Sequence, residues 1–82
     1  SLAQSMAREL GPKGIHVAHV VIDGAIDTPW IKELFKDYYK EKKAIDGLMN
    51  PKDIAKNYIW IHKQPRNAWT HEIDLRPWVE KW

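Results

Sequence analysis

The feature that most limits this chain is the run Ile15-His16-Val17-Ala18-His19-Val20-Val21-Ile22. β-Branched residues dominate it, and polar and apolar positions do not alternate along it. A near-continuous apolar run of this length predicts a strand over 15–22 buried on both faces, as in a parallel sheet covered by helices. Such a strand needs hydrogen-bonded neighbours. The only other strand candidate is 70–76, where Thr70-His71-Glu72-Ile73-Asp74-Leu75 alternates. Two strands do not make a stable sheet, so the run implies a larger β-platform than these residues supply.

Helical patterns surround the two strands. Leu2, Ala3, Met6, Ala7 and Leu10 recur on one face of a helix within 1–14, with Ser1 as a candidate N-cap. The pattern is already running at Leu2, which reads as the end of a helix begun upstream. Gly11-Pro12 is expected to stop it, the glycine as a left-handed cap. Thr28-Pro29 opens a segment over 29–49 whose apolar stripe is Ile31, Leu34, Phe35, Tyr38 and Ile45, closed by Gly47. Asn50-Pro51 opens another over 50–64, with Ile54, Ala55, Tyr58, Ile59 and His62 along one face. Residues 77–82 form a tail. The order is helix-strand-helix-helix-strand, an α/β layout in which the strands run parallel across a long crossover.

Four motifs in this order resemble the short-chain dehydrogenases/reductases. Leu2-Ala3-Gln4-Ser5-Met6-Ala7-Arg8-Glu9-Leu10-Gly11-Pro12-Lys13-Gly14-Ile15-His16-Val17 is similar to the last turns of their catalytic helix and the strand after it. Ile22-Asp23-Gly24-Ala25-Ile26-Asp27-Thr28-Pro29 resembles the family's P-G-x-x-x-T turn. Asn50-Pro51-Lys52-Asp53-Ile54-Ala55 resembles a late helix start, and His71-Glu72-Ile73-Asp74-Leu75-Arg76-Pro77 stands where the last sheet strand belongs. The resemblance implies the C-terminal part of one Rossmann-like, doubly wound parallel sheet. On that basis 1–14 ends the catalytic helix, 15–22 is a central strand, 23–28 the nicotinamide-side loop, 29–49 a substrate lid and 70–76 the last strand.

By the same resemblance the function is NAD(P)-dependent interconversion of an alcohol and a carbonyl by hydride transfer, with a slight leaning to NADP. The implied cofactor contacts are Asp23, Gly24, Ile26 and Thr28, and the implied substrate walls are Ala25, Trp30, Ile31, Leu34 and Phe35. Asp23 replaces the family's proline. Proline would fix φ near about −65°, whereas aspartate frees the backbone and brings a charge toward the cofactor phosphates. The family's catalytic Tyr-x-x-x-Lys and glycine-rich turn are not among these residues, so no catalytic residue is assigned. Tyr38/Lys42 and Tyr39/Lys43 have that spacing but fall in the lid segment, and read as solvent-facing coincidences.

Composition narrows the rest. The 82 residues include no cysteine, which excludes disulfides, thiol catalysis and thiolate metal sites and suits a reducing cytoplasm. Thirteen basic and eleven acidic residues leave a net charge of +2, which demands no polyanion, and no run approaches a membrane span. His16 and His19 would point to opposite strand faces, so no metal site is expected. Lys36, Lys40, Lys42 and Lys43 are interleaved with Glu33, Asp37 and Glu41, expected to form i, i+4 pairs that cancel the field and exclude nucleic acid. Trp78 and Trp82 in the tail point to a homo-oligomer contact. Two rivals are a non-enzymatic, dehydrogenase-like remnant serving as an interaction or oligomerisation module, and a small helical binding protein.

Overall fold

One parallel ladder organises the molecule. In the computed structural model, which describes residues 1–82, β1 (His19–Ile22) pairs with β2 (Glu72–Leu75) in the register His19↔Glu72, Val20↔Ile73, Val21↔Asp74, Ile22↔Leu75. The ladder runs one bond further at each end, His19 N–H to His71 C=O at 2.7 Å and Asp23 N–H to Leu75 C=O at 2.9 Å. Around it lie α1 (Leu2–Leu10), a 3-10 turn at Gly11–Lys13, α2 (Pro29–Leu34), α3 (Lys36–Ala44) and α4 (Pro51–His62). The class is α/β with a parallel sheet, as the apolar run demands.

The strand is shorter than the apolar run. Residues 15–18 are not ladder-paired, because the segment beside them turns at Pro65–Ala68. Side chains take over there. His16 Nε2 bonds the Thr70 carbonyl at 2.7 Å while its ring stacks on Trp69 with centroids 4.7 Å apart, and His71 Nδ1 bonds the Val17 carbonyl at 3.2 Å. Three of the four histidines thus lie along this seam, His19 facing Glu72 across it at 3.7 Å. No grouping of three or more His, Asp or Glu side chains fits a metal ion.

The N-cap expectations hold, and the glycine cap at Gly11 does not. Thr28 Oγ1 accepts the Ile31 N–H at 3.3 Å, Asn50 Oδ1 accepts the Lys52 N–H at 2.8 Å, and Ser1 Oγ accepts the Gln4 N–H at 3.3 Å, all as sequence predicts. Gly11, however, is helical at φ −54°. The left-handed residue is Gly14 at φ 84°, because the helix tightens into a 3-10 turn over Pro12 before it ends. At the end of α3 the left-handed residue is Asp46, φ 58°, and Gly47 is buried against Val79 instead. The lid segment is also broken: Phe35 leaves the helical region at φ −131°, ψ 59°, separating α2 from α3 and setting its ring edge-on to Trp30 at 6.0 Å.

Burial is slight. Only Gly47, Leu48 and Ile61 are buried, and the radius of gyration of 15.9 Å exceeds the roughly 12 Å of a compact chain this long. The apolar faces read from sequence stay open: Leu34, Phe35, Tyr38 and Ile45 on α2–α3, Tyr58 and Ile59 on α4. The inward face of α4 keeps Ile54 of the expected stripe but adds Asn57 and Ile61 in place of Ala55, Tyr58, Ile59 and His62. In the full-length protein Ile61→Ala should therefore lower stability by about 2–4 kcal/mol, read from the urea midpoint; an unmoved midpoint contradicts this packing.

Candidate functional site

The candidate site is the loop 23–28, which leaves the carboxyl end of β1, the end at which open parallel sheets bind ligands. Its course is set by a single parallel bridge between Ile26 and Met49. Met49 donates to the Ala25 carbonyl at 2.9 Å and accepts from the Asp27 N–H at 2.8 Å. In that pattern the bridge consumes the groups of the flanking residues, and Ile26's own N–H and C=O project from the opposite edge. Neither has a partner among the backbone bonds of the chain. One free donor beside one free acceptor is the complement of a primary carboxamide.

Gly24 makes the turn possible. It lies at φ 152°, and a Cβ there would come within 2.6 Å of Pro77 Cδ. The glycine is needed for close approach of the tail proline as well as for its backbone conformation. Thr28 caps α2, and since its oxygen accepts, its hydroxyl proton remains free to donate elsewhere.

Two carboxylates flank the loop, and both are tied to the protein. Asp23 pairs with Arg76 Nη2 at 3.2 Å. Arg76 in turn grips Asp74 bidentately, Nε–Oδ1 and Nη2–Oδ2 both 3.0 Å, donates from Nη1 to the Lys81 carbonyl at 3.3 Å, and lies 3.6 Å over the Trp82 ring. The charge of Asp23 is thus turned to Arg76 rather than left free for a phosphate. The Arg76 contact holds Asp74 below the usual carboxylate range. At the other end Asp27 accepts from Lys43, with the Tyr39 hydroxyl also within its reach. Lys43 therefore forms a latch between α3 and the loop, beside Tyr39. Tyr38 and Lys42 only approach one another, the ammonium 5.8 Å from the ring centroid.

The substrate-wall residues divide. Ile31 and Phe35 line an apolar cavity of about 300 Å³ with Tyr38, Trp30 touches only its rim through Phe35, and Leu34 stays exposed. Ala25 contributes its carbonyl to Met49. The expected cancelling pairs on the lid do not form. Lys32, Lys36 and Lys40 are four apart, as are Glu33, Asp37 and Glu41, so helical repetition separates the signs instead of pairing them. Those lysines, with Lys43, line an open cavity of about 800 Å³ that only Glu33 shares among the acids.

The latch has a defined pH window. Hydrogen bonding from Lys43, then Tyr39, lowers Asp27 below its ordinary 3.8. The Asp27 bond raises Lys43 above 10.5 and Tyr39 above 10.0. The Asp27 contribution is present above pH 3.8 and lost as pH falls through the lowered value. Those of Lys43 and Tyr39 are present below their ordinary values and lost as pH rises through the raised ones. In a tyrosinate absorbance titration Tyr39 should accordingly ionise at higher pH in the parent protein than in Asp27→Asn. Identical tyrosinate titrations in Asp27→Asn and the parent protein would contradict the latch.

Comparison with known proteins agrees with this architecture. No family model matches the chain. An uncharacterized oxidoreductase of Staphylococcus saprophyticus is 31% identical over 77 residues, 94% of this chain and 30% of the relative. The crystal structure of a short-chain dehydrogenase from Rhodopseudomonas palustris matches with a TM-score of 0.57 and 38% identity, over 93% of this chain and 24% of that one. The chain spans less than a third of either protein. The chain is thus similar in sequence to part of that oxidoreductase, and in fold to part of that short-chain dehydrogenase.

Proposed function

We propose that the whole protein is an NAD(P)-dependent oxidoreductase that interconverts an alcohol and a carbonyl by hydride transfer, and that this chain supplies its nicotinamide-side loop and substrate lid. The observation that carries the reading is the unpaired peptide of Ile26, held at a strand's carboxyl end with donor and acceptor side by side. When bound, the cofactor supplies or takes the hydride. The chain's own part is orientation. Ile26 N–H and C=O fit the two halves of a carboxamide, which selects one face of the ring. The Thr28 hydroxyl donates from the start of α2, and Gly24 lets the loop pass close to Pro77 beneath it.

In this reading the lid forms one wall of the substrate space through Ile31 and Phe35, which line the apolar cavity with Tyr38. Latching of α3 by Asp27 couples lid position to the loop, so that cofactor and substrate are ordered together. No helix is long and apolar enough to cross a membrane. A cytoplasmic homo-oligomer belongs to the same reading, supported by the lack of cysteine and by Trp78 and Trp82, which are 74% and 95% exposed in the tail.

Thr28 gives the direct test. In the full-length protein Thr28→Ala should weaken nicotinamide cofactor binding about tenfold, the worth of one well-placed hydrogen bond, while Thr28→Ser keeps both hydroxyl and cap and stays near parent affinity. Titration of cofactor against intrinsic tryptophan fluorescence reads both. Equal affinity and turnover in Thr28→Ala and the parent would overturn the assignment.

A further inference from the structure

Asp23 presents a problem that the structure solves. It stands where proline would lock φ, and the residue after it is Gly24, whose φ of 152° leaves the loop's direction weakly determined by its own backbone. The Asp23 N–H is already used, extending the ladder to the Leu75 carbonyl. Proline would delete that rung. Beyond the Ile26–Met49 bridge further along the loop, the Asp23 side chain is the group left at the point of departure that can fix its direction.

Arg76 is placed to do so. It directly follows Leu75, the acceptor of that last rung, so β2 carries it to the same level as Asp23. Its side chain is only 15% exposed, and every nitrogen has a partner: Asp74 twice, Asp23, and the Lys81 carbonyl. An isolated exposed ion pair contributes little, but a bidentate, partly buried fork in a network is geometrically committed. Without it the carboxylates of Asp23 and Asp74, on adjacent strand ends, would face each other unneutralised.

Resting on the reading that loop 23–28 meets the cofactor, we propose that Arg76 is the positioning residue of that loop: held by Asp74, it fixes Asp23 and thereby the direction in which the Ile26 peptide is presented. The structure substitutes a guanidinium–carboxylate clamp for a conformational lock, and keeps the sheet rung that the lock would remove. Arg76 touches no reacting atom, so its effect falls on cofactor binding rather than on the chemical step.

The test compares Arg76→Gln, Arg76→Lys, Asp23→Asn and the double variant Asp23→Asn/Arg76→Gln in the full-length protein. Arg76→Gln should raise the cofactor KM about tenfold with kcat at saturation within about twofold, the signature of lost binding common to ground and transition states. Arg76→Lys should fall between, since one ammonium cannot reproduce the fork. The double variant should be no worse than the more damaged single one, because both act through one contact. Losses that multiply, or a kcat that falls with KM unchanged, overturn the proposal.

Amide hydrogen exchange over 24–28 supplies a readout independent of turnover. Arg76→Gln should accelerate it, and Arg76→Lys less; if Arg76→Gln does not fold, Arg76→Lys carries the same comparison. Acceleration confined to 77–82 shows a tail anchor and overturns the proposal. Should the parent protein bind no nicotinamide cofactor, the functional reading fails alone, and the exchange pattern still decides whether Arg76 sets the loop.

Discussion

The parallel pairing of β1 with β2 is the constraint on which the other features depend. It joins residues some fifty positions apart, and its register delivers three groups to one end of the sheet: the Asp23 N–H, the Leu75 carbonyl and the Arg76 side chain. A one-residue slip would invert every side chain on the strand and take Arg76 away from Asp23. The loop then needs only one more fixed point, the Ile26–Met49 bridge, to present a peptide whose two polar groups have no internal partner. The candidate site is backbone held in place by side chains at both ends.

Cohesion within the chain comes mainly from hydrogen bonds and ion pairs rather than burial. Leu48 and Ile61 are the buried hydrophobic residues, while Leu34, Phe35, Tyr58, Ile59 and Trp60 each keep about half or more of their surface in water. Exposed apolar surface on this scale marks faces made for covering. β1 and β2 form a two-stranded sheet, so each has only one paired edge. A segment spanning 30% and 24% of its two relatives would expose such faces if the rest of a doubly wound sheet supplied their cover.

What was legible in the sequence follows from range. Local rules located Thr28 and Asn50 as caps, the two strands and the α/β class, because each depends on residues within a turn or two. The apolar run overstated the strand at 15–18, since a run reports burial and not whether a partner strand lies alongside. The left-handed residues fell at Gly14 and Asp46 rather than at the expected Gly11, because which residue closes a helix depends on how its last turn tightens. Charge spacing on the lid was misjudged: alternation in sequence becomes segregation on a helix when like charges repeat every four residues. Arg76 and the Asp27–Lys43–Tyr39 latch escaped notice because they are long-range. The signal available was the pair of unexplained carboxylates bracketing the loop, which in a near-neutral chain call for cationic partners.

The most direct measurement follows the backbone amide of Ile26 by NMR in the isotopically labelled full-length protein as nicotinamide cofactor is added. The Ile26 and Thr28 resonances should move in a saturable manner, and the Met49 amide, already engaged inside the fold, should move less. Cofactor binding that shifts resonances elsewhere and leaves Ile26 still would contradict the account, because the unpaired peptide would then have no part in holding the ring.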